Sequence, residues 1–485
     1  MSDVLLVHAE DSSTMGFVGS MPPLGLAWLA TSLRGAGASV RILDPQVEDD
    51  SFEDVFESER PSVLGISVTT AARFRAFEYV KTARASDPKT LTVLGGPHVT
   101  CAAQDTLDHL PELDAVVRGE GETPFTEICR RQLDGRRDFE DIGSLSWRRE
   151  GRPVHNENTS RVEDLDSLGF PARDLLANEL YGLENEFVGG RASHIMASRG
   201  CPYRCSFCSA GAIWDHRVTF RTPGHVVEEM LHLRDEYGAE GIRFMDALVT
   251  VRKSFTIALC EEIKRRGAVM PWECEIRVDT VDEEMLRAMR EAGCYYLDFG
   301  VESINPVMLK RMKKNITPEQ ISKILELSYN LGFKTKVFFT IGHIEETLDQ
   351  AMETLRFIRK NKRYITRIGG GVGINIFPGT EVERFAKDEG LLPEGFHWSS
   401  PYHQEENLRF STAPSVPILI QPQFTWRELH LMRRRHLFQK LRDPQVVRAN
   451  LRKLRGRAAL ARLRSLAGAA FGHGRSALKK DGKSP

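Results

Sequence analysis

"RGCPYRCSFCSAG" (residues 199–211) sets three cysteines at a CxxxCxxC spacing, in a chain of 485 residues with eight cysteines in all. Three thiols so close together pose a question, because structural metal sites usually take four protein ligands. A zinc site would need a further Cys or His at its usual spacing, and His216 does not stand at one. Cys260, Cys274 and Cys294 stand singly inside apolar helical or strand patterns and read as small core residues. The motif is entered by the strand-like "RASHIMASRG" (191–200), and strand and helix signals then alternate to about residue 390. "GIRFMDALV" (241–249), "MPWECEIRVD" (270–279), "CYYLDFGVES" (294–303) and "KTKVFFTIG" (334–342) read as strands, each followed by a helical segment. "RIGGGVGINIFPGTEVERFAKDEG" (367–390) closes the series, which predicts a partial, TIM-like (β/α)6 barrel with its chemistry at the carboxyl ends of the strands.

Three thiolates can hold three irons of a 4Fe–4S cluster and leave the fourth with an open coordination site. CxxxCxxC with an aromatic, Phe207, before the last cysteine resembles the signature of radical S-adenosylmethionine (SAM) enzymes. The resemblance makes Cys201, Cys205 and Cys208 the metal ligands and implies that the open iron chelates SAM. One electron from the reduced cluster then cleaves the C5′–S bond and leaves a 5′-deoxyadenosyl radical, while the protein orients the cofactors. "DFGVES" (298–303) resembles the family's Gly-Ile-Glu-Ser strand, which implies SAM contacts at Glu302 and Ser303. "WECEIRVD" (272–279) is similar to the strand whose arginine, here Arg277, points toward the active site. For Glu302 and Arg277 an ordinary ion pair at the barrel end is the competing account. "TIGHIEET" (340–347) stands where the family has Gly-Leu-Pro-Gly-Glu-Thr, and "MDALVT" (245–250) keeps only Asp246 of the family's polar pair. These departures make Asp246 and His343 candidates for substrate contacts. Tyr203, Trp214 and His216, beside the cluster loop, are candidates for proton transfer.

The first 135 residues alternate strand and helix signals. "DVLLVHA" (3–9), "SVRILDP" (39–45), "SVLGISV" (62–68), "TLTVLGG" (90–96) and "LDAVVRG" (113–119) predict five strands of a doubly wound, Rossmann-like parallel sheet. In such sheets ligands bind beyond the carboxyl ends of the strands. No GxGxxG turn follows the first strand, so nicotinamide binding is poorly supported. Gly95, Gly96, Gly119 and Gly121 leave room for a large flat ligand to approach the backbone. "PPLGLAWLATSLR" (22–34), "LGISVTT" (64–70), "VLGGPHVT" (93–100) and "VVRGEGE" (116–122) resemble the cobalamin-binding domain that precedes the barrel in many radical SAM enzymes. That resemblance adds Thr69 and His98 to the candidate cofactor contacts. After His8 there is no Asp-x-His-x-x-Gly, so it implies cobalamin held base-off without a histidine ligand, or a domain kept as architecture alone.

The expected organisation is therefore α/β: a cobalamin-binding-type domain over 1–140, a linker with a small hairpin over 141–190, the barrel over 191–395, and a basic helical extension over 396–485. A content of 41% hydrophobic and 27% charged residues is that of a globular protein, and no apolar run approaches the roughly 20 residues needed to cross a bilayer. With no basic, cleavable leader at the N-terminus, a cytoplasmic, reducing setting is expected, where clustered thiols hold metal more often than disulfides. From Arg427 to the end, 17 Lys/Arg oppose 3 Asp/Glu. That tail reads as helix packed on an acidic body or as a peripheral membrane contact; with few aromatics, no nucleic acid is expected.

The domain combination resembles cobalamin-dependent (class B) radical SAM methylases. It implies methylation of an unactivated carbon of a small molecule, as in natural-product biosynthesis, with an electron donor such as flavodoxin or ferredoxin. A diol dehydratase, epimerase or cyclase on the same scaffold is the alternative. A sensor or electron carrier would not need the full set of barrel motifs. The thiomethylases of transfer RNA carry a second cysteine trio in the N-terminal domain, which Cys101 and Cys129 cannot supply.

Overall fold

The short apolar runs of the N-terminal third form β1 (Val4–His8), β2 (Val40–Leu43), β3 (Val63–Ser67), β4 (Leu91–Gly95) and β5 (Ala115–Val117). They lie parallel in the order β2-β1-β3-β4-β5, with Val4 opposite both Val40 and Val63, and Val63 opposite Leu91. Successive residues face opposite layers. Leu5 and Val7 pack under helices Phe52–Glu59, Arg73–Ser86 and Pro97–His109, whereas Val4 and Leu6 pack under Leu24–Gly35 and Glu122–Leu133. Burial on both faces is why these strands read as unbroken apolar runs, and it confirms the doubly wound sheet. The computed structural model describes residues 2–9, 21–159, 161–181, 190–402 and 415–441.

The hairpin assigned to the linker has a larger role than a connection. Its strands β6 (Leu145–Arg149) and β7 (Arg152–His155) extend the first sheet to seven strands, Ala115 pairing antiparallel with Trp147 and Ser146 with His155. Without it β5 would expose an open edge. Trp147 secures the added strand by burying its ring edge-on against Phe139, with centroids 5.5 Å apart.

The second sheet is the predicted partial barrel. β8 (Ala192–Ile195) leads into β9 (Ser198–Gly200), which pairs antiparallel with β10 (Val218–Phe220), Gly200 opposite Val218. β8 then continues through β11 (Gly241–Phe244), β12 (Trp272–Ile276), β13 (Cys294–Glu302), β14 (Lys334–Phe339) and β15 (Arg367–Gly369) as six parallel strands in chain order. Ile242, Trp272, Cys274, Leu297, Phe299 and Val337 point outward into the core beneath the helices. Strand alternation therefore turns Arg243, Glu273, Glu275, Asp298 and Lys336 into the barrel interior. The helix starts are written locally: Thr317 and Thr347 form capping boxes with Gln320 and Gln350, and Thr222, Asp282 and Thr380 cap three more.

Beyond the barrel the chain returns to the first domain. Arg73, fully buried, donates to the carbonyls of Trp398 and Ser415, each at 2.7 Å, and Asp105 accepts from the Trp398 amide at 2.8 Å. Helix Trp426–Leu441 buries Leu429 and Met432 in the barrel's outer core. Of the extension expected over 396–485, residues 403–414 and 442–485 lie outside the described residues. Among the described residues no helix is long and apolar enough to cross a membrane.

Candidate active site

The β9–β10 pair clamps both ends of the cysteine loop. Gly200 sits at φ +98°, and a Cβ there would lie 2.0 Å from the Arg217 carbonyl oxygen, so only glycine admits this crossing. Within the loop the Cys208 amide donates to the Cys205 carbonyl (3.2 Å), and Ser206 is pinned through its own amide to Met312 and through its carbonyl to the amides of Glu381 and Val382. His216 lies 3.1 Å from the Tyr203 carbonyl, and its ring fills the space over Gly211, where a Cβ would stand 2.1 Å away. Tyr203 and His216 thus shape the loop.

Arg277 projects from the end of β12 with its guanidinium 3.8 Å over the Tyr203 ring and Nη1 3.7 Å from Cys205 Sγ. A two-point bond to Asp279, 2.8 Å at each contact, and a bond to the Lys314 carbonyl hold it there. Burial raises the Cys201 and Cys208 thiols, while Lys314 pulls both down and Arg277 also pulls Cys201. Opposite, Glu302 adopts φ +68° at the register shift between β13 and β14. Its carboxylate accepts from Thr340 Oγ1 (2.7 Å) and lies 3.5 Å from the buried Lys314 ammonium. Glu302, Lys314 and Arg277 therefore ring the cluster loop.

The other barrel candidates point elsewhere. Ser303, fully buried, faces helix Leu348–Lys360 through Thr354, 3.3 Å away. Asp246 accepts from Ser198 Oγ (2.5 Å) and the Ala197 amide (3.0 Å), tying the corner between β8 and β9, and burial raises its carboxyl to about 6. His343 is buried edge-on to Phe207, centroids 5.3 Å apart, with Nε2 unpartnered; burial, then Lys314, pushes it down to about 3, so the ring is neutral. Beneath it Glu346, fully buried, accepts from the amides of Gly342 (2.6 Å) and His343 (3.1 Å), and burial lifts its carboxyl to about 7. A carboxyl raised on folding holds its proton more tightly in the folded chain. Its contribution is fully present below about 4.5 and lost as pH rises through about 7, a change of about 3 kcal/mol. Glu346→Gln is expected to lose this dependence, seen as a smaller drop in thermal midpoint between pH 5 and pH 8 than the wild type shows. An equal drop in both proteins would place the ionisation on another group.

At the carboxyl ends of the first sheet lies a cavity of about 220 Å³. Gly65, Gly95, Gly96, Gly119 and Gly121 line it with Trp28 and Leu29, and Met196, Arg199 and Trp214 close it from the barrel side. A Cβ on Gly119 would meet nothing within 4 Å, and one on Gly95 only the Val117 carbonyl at 3.9 Å, so at these two positions the missing side chains leave open space. Arg199, next to the cluster loop, donates to Glu120 (2.9 Å) and Glu122 (2.6 Å), with its guanidinium 5.1 Å over Trp28. Burial alone would lower this arginine, and the two carboxylates outweigh it. The cavity and the cluster loop thus share one wall.

The B12 binding domain family matches residues 16–129, and the radical SAM superfamily matches residues 195–358. The uncharacterized methyltransferase PH0819 of Pyrococcus horikoshii is 33% identical over 364 residues, 74% of this chain and 78% of that protein. The chain belongs to the cobalamin-dependent radical SAM enzymes. The anaerobic magnesium-protoporphyrin IX monomethyl ester cyclase of Rubrivivax gelatinosus is 29% identical over 367 residues, 73% of this chain and 65% of that protein. The cobalamin-dependent SAM radical enzyme OxsB, solved with aqua-cobalamin and SAM, superposes with a TM-score of 0.72 at 16% identity, over 96% of this chain and 75% of that one.

A cobalamin-dependent radical SAM enzyme uses a 4Fe–4S cluster, SAM and cobalamin, and the residues present fit all three. The clamped thiols suit the cluster, the ring of Arg277, Glu302 and Lys314 suits the charged end of SAM, and the glycine-lined cavity suits an arm of the corrinoid, the whole of which far exceeds it. Two candidate cofactor contacts lie off the cavity wall. Gly96 turns at φ +99°, and His98 then packs on Thr70 (3.2 Å) and edge-on to Trp398 (5.9 Å), away from the cavity wall. Thr69 accepts from the Ala72 amide instead and does not line the cavity either. Arg199, Glu120, Glu122, Trp28 and Lys314 were not singled out in the sequence. Arg199 adjoins the cysteine motif and the two glutamates sit inside "RGEGE", a signal passed over for its glycines. Gly96→Ala is expected to lower cobalamin retention at least ~10-fold, because its Cβ would meet the Val68 amide nitrogen at 2.9 Å in a conformation costing about 1–3 kcal/mol. Retention equal to the wild type, read from corrinoid absorbance after desalting, would show that this turn does not shape the site.

Proposed function

We propose that this enzyme transfers a methyl group to an unactivated carbon of a small molecule, as in natural-product assembly. When bound, the cluster with SAM would supply the hydrogen-abstracting radical and cobalamin would carry the methyl group. Cys201, Cys205 and Cys208 hold the cluster in this reading. Phe207 packs edge-on to the buried His343 beside the loop, Arg277 balances charge beside Cys205, and Glu302 with Lys314 receives the amino acid end of SAM. Asp246 acts as a positioning residue for the loop, through Ser198 and Ala197. The observation that carries the proposal is the wall shared by the cavity and the cluster loop at Arg199, which brings two cofactors to one seam.

The similar cyclase favours a second reading, ring formation on the same scaffold without methyl transfer. In either case flavodoxin or ferredoxin would deliver the electron in the cytoplasm, and the basic tail offers a peripheral membrane contact. Anaerobic reconstitution with iron, sulfide, SAM and hydroxocobalamin separates the two. A retained cob(II)alamin spectrum, with S-adenosylhomocysteine formed beside 5′-deoxyadenosine, supports methylation. 5′-Deoxyadenosine alone on a protein that retains no corrinoid defeats it.

A further inference from the structure

The outward-facing core residues of the barrel strands leave their neighbours inside, and these form a belt of charge. In strand register Glu275 lies opposite Asp298, Asp298 opposite Lys336, and Lys336 opposite Arg367. Arg243 lies 3.3 Å from Glu273 and 3.6 Å from Asp298, and Lys336 lies 3.5 Å from Asp298. Every cation of the belt thus has an acidic neighbour or another partner. The acids are not used up. Asp298, with 6% of its side chain accessible, keeps Oδ1 without a hydrogen bond. Glu275 is exposed to solvent, yet burial and the Asp298 charge both push its carboxyl up, as befits a group on a concave wall. Among the described residues it has neither a hydrogen bond nor an ion pair at contact distance.

The belt lies one pleat from the residues that ring the cluster loop. Glu275 precedes Arg277 by one pleat on the same face of β12, a rise of roughly 6.5 Å, and Arg277 reaches to 3.7 Å from Cys205 Sγ. Gly300, one pleat above Asp298, leaves the space into which Glu302 and Lys314 fold, each 3.2 Å from where its Cβ would be. The barrel thus has a reaction end and, one pleat below, a pair of carboxyl groups with unfilled acceptor positions.

We propose that Glu275 and the free Asp298 oxygen bind an ammonium or guanidinium group of the substrate, so that the enzyme acts on cationic, amine-bearing molecules. This takes the small-molecule substrate proposed above to enter the barrel beside the cluster loop, and adds the substrate class. A solvated carboxylate beside an unfilled carboxylate oxygen gains most from a ligand that brings both charge and N–H donors.

The test uses the anaerobically reconstituted holoenzyme with three probes of one shape: phenethylammonium, 3-phenylpropionate and 3-phenylpropan-1-ol, each titrated by calorimetry. Phenethylammonium is expected to bind about tenfold or more tighter than the other two, the worth of one charge-assisted hydrogen bond. Glu275→Gln should erase that preference and Glu275→Asp should keep part of it. Equal binding of the three probes, tighter binding of the carboxylate, or a preference unchanged in Glu275→Gln would overturn the proposal. If Glu275→Gln does not fold, the wild-type ranking alone decides. Cobalamin retention, read on the same sample, tests methyl transfer separately: an ammonium preference without retained corrinoid sinks that reaction and leaves this site standing.

Discussion

Cys205→Ala protein, reconstituted anaerobically with iron, sulfide and SAM, is expected to form 5′-deoxyadenosine no faster than a control without enzyme. Cys205 is the middle thiol of the loop, and the loop is held from three sides: the β9–β10 clamp, the Ser206 bonds to Met312, Glu381 and Val382, and Arg277 at 3.7 Å from its sulfur. Two thiols left in that frame cannot fill the third ligand position, and no other cysteine adjoins the loop in sequence. The loss should far exceed the roughly 10–100-fold that follows from removing an outer partner of a ligand, which is the effect expected for Arg277→Met. The broad absorbance of the cluster near 400 nm should disappear in Cys205→Ala and persist in Arg277→Met. Wild-type SAM cleavage by Cys205→Ala would remove the basis for the radical source.

Arg199→Met is expected to cost about 3–5 kcal/mol of stability, the penalty for leaving buried charge without its partner. The exposure of Arg199, Glu120 and Glu122 is 8%, 8% and 6%, and the arginine is the cation that joins both carboxylates across the domain seam. One Glu122 oxygen has no hydrogen bond even in the intact protein, so little is left to absorb the second charge. Thermal unfolding of the apoprotein at pH 8 should show a much lower midpoint, with cobalamin retention lost in parallel. The triple variant Arg199→Met, Glu120→Gln, Glu122→Gln should recover most of the midpoint, since removing all the charges is far milder than removing one sign. A single variant as stable as the wild type would mean that the seam is held elsewhere, through Arg73 and Trp398.

The parts legible in the sequence are those whose signal is local. The first sheet announces itself because a strand buried on both faces must be apolar throughout, the barrel strands because apolar and charged residues alternate along them, and several barrel helices carry their own caps, as those at Thr317 and Thr347 do. Gly96 was legible as a place where the backbone needs glycine, while its turn at φ +99° and that of Gly200 at φ +98° emerged only with the fold. His98 and Ser303 were not legible, because the direction of a side chain at a strand or helix end depends on what packs against it. Trp398, 300 residues downstream, gives His98 a neighbour, and Thr354 does so for Ser303. The hairpin β6–β7 was visible, but its joining the first sheet depends on an edge of β5 that exists only once the sheet has formed.

By itself the sequence determined that three thiols would lie together, ahead of a βα barrel and behind a doubly wound domain, because adjacency along the chain enforces adjacency in space. Only the tertiary structure decided what surrounds them. Arg199 meeting Glu120 and Glu122, Lys314 meeting Glu302, and Glu275 left beside an unfilled Asp298 oxygen are contacts between residues far apart in the chain. Such contacts follow from register and packing, which set the distances between charges and so their strength, and no local pattern encodes them.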